Sequence, residues 1–87
     1  PNPIAGDQAT MAIKTESGDT EVVIDVFNAA MRRIWTGGWM IVPPNPGNRA
    51  IGGIGAWAPG SYLVKARIKT SAGTERILSP IRLIVKR

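Results

Sequence analysis

Carboxylates are the first side chains to consider for catalysis in this 87-residue sequence, which contains neither histidine nor cysteine. Glu21 and Asp25 lie four residues apart in a stretch that alternates like a β-strand. At ~3.3 Å per residue, the two carboxylates would be about 13 Å apart. This exceeds the roughly 5–9.5 Å between the paired carboxyl groups of glycosidases. The spacing therefore argues against catalysis by this pair.

The sequence also lacks the residue patterns of metal, nucleophile and phosphate-binding sites. Glu16 and Asp19 share one turn, but a dedicated calcium site uses about 6–8 oxygen ligands. Ser61 and Lys65 have no histidine to activate them as nucleophiles. The glycine-rich stretch at 52–55 is not followed by the Gly-Lys-Ser/Thr of a phosphate-binding loop. The residue types predict a protein that is not an enzyme and holds no cofactor or metal.

The three tryptophans are candidate contacts for a partner. Trp35 and Trp39 flank Gly37-Gly38, and Trp57 precedes a Pro-Gly turn. Rings near loops can stack on sugars or bases, or meet a protein; the alternative is that they fill the core between two sheets. Strand alternation would place Ile34 and Trp35 on opposite faces, so that at least one large apolar group faces outward.

Basic residues form the second candidate surface. Lys65, Arg67 and Lys69 share one face of a predicted strand, and Arg82 and Lys86 share a face of the last strand. If the two strands are neighbours, they create a cationic sheet face that could bind phosphates. The tryptophans and these five basic residues are the predicted partner-binding set.

Charge is divided unevenly along the chain, whose formal net charge is +5. Residues 1–30 carry five acidic side chains and one lysine, whereas residues 61–87 carry seven basic side chains and one glutamate. This division can indicate an acidic partner. It can equally mean that acidic and basic strands lie side by side in one sheet, where facing opposite charges are favourable.

Short strands separated by turn residues dominate the rest of the sequence. After the Pro59-Gly60 turn, one apolar row alternates with Leu63 and three basic residues, which is typical of a half-buried strand. The apolar row is Tyr62, Val64, Ala66 and Ile68, and the basic residues are Lys65, Arg67 and Lys69. The predicted strands are Gln8–Lys14, Thr20–Phe27, an interrupted strand over Met31–Thr36 and Trp39–Val42, Arg49–Ile54, Ser61–Thr70, and a broken last strand over Glu75–Ser79 and Ile81–Lys86. Gly37-Gly38 is expected to interrupt one strand, and Pro80 to break the last at a sheet edge or sheet switch. A helix over 26–36 is the competing interpretation, because Ala29, Ala30 and Met31 favour helices.

These elements predict one all-β domain, a small antiparallel β-sandwich of six to seven strands over residues 8–87. Residues 1–7, with two prolines and a glycine, are expected to form a flexible arm, and Pro43–Asn48 a long loop. The sequence has no apolar run near the ~20 residues of a membrane span. Its amino terminus lacks the features of a signal peptide, which favours synthesis in the cytoplasm.

Four segments form a recognisable framework: Val22–Asn28, the Pro59–Tyr62 turn and strand start, the turn at Ser71–Gly73 and the closing strand Ile81–Val85. In this framework the chain resembles immunoglobulin-like or fibronectin-type β-sandwich modules. It is similar in particular to small modules of bacterial surface, flagellar hook-cap and phage structural proteins. The resemblance implies adhesion or assembly and carries over no active site.

The sequence therefore favours a non-enzymatic structural or adhesive protein, a subunit or decoration component of an assembly such as a virion or surface appendage. Its partner would be another protein or copies of itself. A carbohydrate-binding module that uses the tryptophans is the first alternative. Non-specific nucleic-acid binding through the basic sheet face is the second.

Overall fold

The computed structural model describes residues 6–13, 15–41 and 48–86, which form seven strands and one short 3-10 turn. The strands are β1 Ala9–Ala12, β2 Asp19–Phe27, β3 Arg33–Met40, β4 Asn48–Ile51, β5 Gly60–Thr70, β6 Glu75–Ile77 and β7 Ile81–Val85. The 3-10 turn spans Ile54–Ala56. The predicted all-β antiparallel class is confirmed.

Two antiparallel sheets enclose the core. The larger has the order β3-β2-β5, with β6 and β7 both on the far side of β5, and the smaller pairs β1 with β4. We call the core-facing side of the larger sheet its inner face and the opposite side its outer face.

The inner face is built from the apolar residues of β2 and β5, which strand alternation places on one side. Val22, Ile24, Val26, Val64 and Ile68 are each at most 2% exposed. The same core cluster includes Ile13, which follows β1, Ile51 at the end of β4, and Ile54 of the 3-10 turn. Fully burying a Val or Ile side chain contributes about 1.5–3 kcal/mol, so this layer holds the two sheets together.

The helix considered for residues 26–36 is wrong, because a hairpin turn joins β2 to β3. The Asn28 side-chain oxygen accepts hydrogen bonds from the backbone N–H groups of Ala30 and Arg32, at 3.0 Å each. Met31 takes a positive φ of 60° at the tip, as the third residue of such a loop commonly does. Local side-chain-to-backbone bonds of this kind compete effectively with a helix.

Gly37 and Gly38 do not interrupt β3, contrary to the prediction. A methyl group on Gly37 would lie 2.6 Å from the Trp35 ring, so this glycine leaves room for the indole to lie along the strand. A methyl group on Gly38 would overlap the backbone carbonyl oxygen of Val22 on β2. Both glycines therefore permit close approaches within a continuous strand.

Pro80 breaks the last strand, as predicted. β6 pairs with Arg67–Lys69 and β7 with Gly60–Val64, so both lie on the same side of β5 and form one interrupted edge. This confirms the edge position, and the last strand does not switch sheets.

The predicted strand Arg49–Ile54 ends earlier, at Ile51. Gly53 takes a left-handed conformation (φ 77°) and starts the 3-10 turn. Asp7, which we assigned to a flexible arm, accepts the N–H of Ile54 with its carbonyl and the N–H of Gly55 with its carboxylate. Residues 1–5 of the predicted arm and most of the Pro43–Asn48 loop lie outside the described residues.

We expect Gly38→Ala to lower the free energy of unfolding by about 1–3 kcal/mol, the usual cost of overpacking against an atom that cannot move aside. Urea denaturation measures this change. Gly52→Ala is the matched control, because a methyl group there meets nothing within 4 Å, and it should be neutral or stabilising. Equal stability of Gly38→Ala and the native protein would contradict the close approach.

Candidate interaction surface

The basic residues of β5 lie on the outer face, where acidic residues of neighbouring strands meet them. Lys69 Nζ is 3.6 Å from a carboxylate oxygen of Glu21 on β2. Arg67 lies between Asp25 on β2 and Glu75 on β6, at 3.7 and 3.5 Å. Opposite charges on facing strands are thus paired within the chain, which accounts for much of the uneven charge distribution along the sequence.

Asp25 is the best covered of these carboxylates and is only 9% exposed. It accepts a hydrogen bond of 2.7 Å from the Thr36 hydroxyl on β3. Arg33 and Arg67 approach it at 3.7 Å from opposite sides. A buried carboxylate needs such partners, so Asp25 links three strands on the outer face.

The remaining predicted basic residues are placed differently. Lys65 lies over the ring of Phe27, with its Nζ 5.1 Å from the ring centroid, a cation–π distance. Arg82 lies opposite Leu63 and therefore shares the outer face. Lys86 is exposed beyond the end of β7. β5 and β7 are indeed neighbours, but β2 and β6 place acidic side chains among these cations, so the face has mixed charge.

The tryptophans lie on the core side. Trp35 faces Val26 and Trp39 faces Val22 across the β2–β3 pairing, which puts both on the inner face. The Trp57 ring packs against Tyr62, with centroids 5.1 Å apart and planes tilted by 43°. All three are partly buried against the core.

The expectation that Ile34 and Trp35 lie on opposite faces, with one pointing outward, is wrong. Ile34 also packs against the core. The pairing shifts by one residue between Val26 and Phe27, which leaves Ile34 as an extra residue in β3. A bulge of this kind re-aims a side chain and breaks strict alternation.

Apolar residues of the outer face were not predicted as site residues. Phe27 lies directly opposite Leu63, and Ile77 opposite Arg67. Ile77 is 66% exposed and Ile84 is 40% exposed. The sequence did contain a signal for these residues. In β2, Val23 and Phe27 alternate with the buried residues, so strand periodicity already predicts large apolar side chains on the outer face.

An open groove of about 310 Å³ crosses this face where the edge strand is broken. The outer-face groove is lined mainly by apolar atoms, and its lining residues include Phe27, Lys65, Ile77, Leu78 and Pro80. The interruption at Pro80 creates the groove, because in the described part of the chain neither β6 nor β7 extends beside the middle of β5.

Within the described ranges, no group of three or more His, Cys, Asp or Glu residues is placed to bind a metal ion. None of the described segments is a helix with the length and apolar character needed to cross a membrane.

A further cluster of charged residues lies where β2 begins, and it consists of Arg76, Asp19 and Glu16. Arg76 donates two hydrogen bonds to the Asp19 carboxylate, at 2.9 and 3.0 Å, and approaches Glu16 at 3.7 Å. These bonds lower the pKa of Asp19, and the backbone N–H of Glu16 adds a further bond that lowers it. The same pairing raises the pKa of Arg76. This cluster ties the start of β2 to β6 across the end of β5.

Because the folded-state pKa of Asp19 is below its unfolded value of about 3.9, its stabilising effect is complete above that value. The effect is lost as pH falls through the folded-state pKa. We expect Asp19→Asn to be less stable than the native protein at pH 7, and the difference to shrink as pH falls below about 4. Urea denaturation across this pH range measures it.

Glu16→Gln is the control, since the Glu16 side chain is 66% exposed and exposed ion pairs contribute little. A constant difference between Asp19→Asn and the native protein at every pH would contradict the role of the Asp19 carboxylate.

Comparison with known proteins supports the fold but identifies no family for this chain. No family model and no curated protein matches the sequence. The structure is similar to the crystal structure of CopC from Methylosinus trichosporium OB3b, with a TM-score of 0.65 and 17% sequence identity. The match covers 97% of this chain and 79% of that one. The similarity supports a β-sandwich in general, and it does not extend to an immunoglobulin-like or fibronectin-type module in particular.

Proposed function

We propose that this chain is a non-enzymatic interaction protein that assembles with copies of itself through the outer face of its larger sheet. The observation that carries the proposal is the outer-face groove, an open apolar depression set among paired charges. Open apolar surface rimmed by polar groups is typical of protein contact sites. A virion or surface appendage, the setting suggested by the sequence, remains part of this proposal.

The groove offers apolar area that a partner can cover. Ile77 stands at its edge and is 66% exposed, and Phe27 and Leu78 are partly buried beside it. Covering an exposed Ile side chain contributes up to about 1.5–3 kcal/mol before the costs of association. Apolar anchors of this kind usually carry most of the binding energy in an interface.

The surrounding charges favour another copy of the same chain. Asp25, Arg67 and Glu75 alternate in sign across the outer face, and the first two line the groove. A surface on which both signs alternate is complementary to itself after a suitable rotation. Lys65 and Arg67, which line the groove, thereby keep the partner-contact role that the sequence predicted, and Lys69 lies further along the same face.

The two alternatives receive less support from the described residues. A sugar-binding platform needs exposed, outward-facing rings, whereas Trp35, Trp39 and Trp57 pack against the core. Phosphate binding needs cations that are free to meet it, whereas Arg67 and Lys69 are paired with carboxylates.

We expect the native protein to show a concentration-dependent increase in sedimentation coefficient, and Ile77→Lys to weaken that association by about tenfold or more. The added charge would have to be desolvated inside the contact. Met31→Lys is the matched control, because Met31 is 57% exposed at a hairpin tip and is not among the residues that line the groove. A native protein that stays monomeric up to millimolar concentration would overturn the proposed self-assembly. An equal loss of association in Ile77→Lys and Met31→Lys would exclude the groove as the contact site.

A further inference from the structure

β3 forms the open edge of the larger sheet. Among the described residues its pairing partner is β2. The N–H of Ile41 donates to the carbonyl of Thr20, which fixes the phase of the antiparallel ladder. In such a ladder alternate residues bond to the neighbour and the others point away. Thr36, Gly38 and Met40 therefore direct their N–H and C=O groups outward, and all three are exposed.

The two edges of the sheet are protected very differently. On the far edge, β6 and β7 are short, are separated by Pro80 and carry Glu75, Arg76 and Arg82. Prolines, charges and short strands are the usual means of preventing edge-to-edge pairing. β3 has eight residues, and after Arg33 it contains no charged residue and no proline. An unprotected edge of this length is a template for a further strand.

We propose that a second copy of this chain pairs its β3 antiparallel to this one, about a two-fold axis at Gly38. The outward groups of Thr36, Gly38 and Met40 would then bond to those of Met40, Gly38 and Thr36 in the second copy. The two larger sheets become one continuous sheet. The inference rests on the proposed self-assembly and assigns it a second contact, distinct from the outer-face groove.

Side-chain complementarity favours a second copy over an unrelated strand. The axis at Gly38 places Trp39 opposite Gly37 of the second copy, over which the Trp35 ring of that copy lies. Two aromatic side chains would therefore meet across the contact, and aromatic cross-strand pairs are favourable. Because Ile34 to Ile41 contains no charged residue, a chain of net charge +5 brings no like charges opposite each other. A closed two-fold pair of this kind uses the same surface on both copies.

Amide hydrogen exchange resolved by residue tests the pairing directly. The amides of Trp35, Gly37 and Trp39 bond to β2 and should be protected at every protein concentration. Those of Thr36, Gly38 and Met40 should exchange rapidly in dilute protein and gain about tenfold or more protection as the concentration rises. Rapid exchange of these three amides at concentrations where sedimentation shows association would overturn the β3 contact.

A pair of double variants tests the register. Thr36→Lys/Met40→Lys places like charges opposite each other twice across the axis and should weaken the β3 contact at least tenfold. Thr36→Lys/Met40→Glu places opposite charges there and should restore it. Both variants lose the same Thr36 hydrogen bond to Asp25, so this loss cancels in the comparison. Equal association of the two would exclude the proposed register.

The two contacts can fail separately. Ile77→Lys should leave the concentration-dependent protection of Thr36, Gly38 and Met40 intact, because Ile77 lies on the opposite edge of the sheet. If Ile77→Lys weakens association but these amides gain no protection, the groove contact is supported and the β3 contact is excluded. If the amides gain protection and Ile77→Lys associates as well as Met31→Lys, the β3 contact is supported and the groove contact is excluded.

Discussion

The pairing of β2 with β5 is the interaction on which the rest of the structure depends. These are the two longest strands, and both place a row of branched aliphatic side chains on the inner face. Every other strand of the larger sheet pairs with one of them. A domain of this size buries only about 60–65% of the surface that its unfolded chain exposes. It therefore cannot lose this layer and remain folded.

The same pairing decides the electrostatics of the outer face. Because β2 is acidic and β5 is basic, their antiparallel alignment brings Glu21 to Lys69 and Asp25 to Arg67. The exposed Glu21–Lys69 pair contributes little stability by itself, whereas the partners of Asp25 are what allow that carboxylate to be buried. The larger effect of these pairs is on recognition, since they remove the strongly cationic face that the sequence could have produced. What remains for a partner is apolar side chains among alternating charges.

The second proposed contact depends on the edges of the larger sheet. Natural sheets usually protect their edges, and among the described residues such protection lies on the side of β6 and β7. On β3, two glycines let the Trp35 ring and the Val22 carbonyl approach the strand closely. In the proposed assembly, the outer-face groove and the β3 edge would give one small chain two contact surfaces, as an assembly larger than a pair requires.

The sequence by itself determined the strand character of Asp19–Phe27 and Gly60–Thr70, the break at Pro80 and the absence of histidine and cysteine chemistry, because periodicity, proline and residue type are local properties. It placed Trp35, Trp39 and Trp57 among the candidate contacts, but whether a ring faces the core depends on which strand lies opposite it. It also misjudged Gly37-Gly38 and Ile34, since a close approach and a bulge exist only in relation to a neighbouring strand. Only the tertiary structure decided which charges pair, where the outer-face groove opens and which edge is free, because these depend on the order of the strands in the sheet.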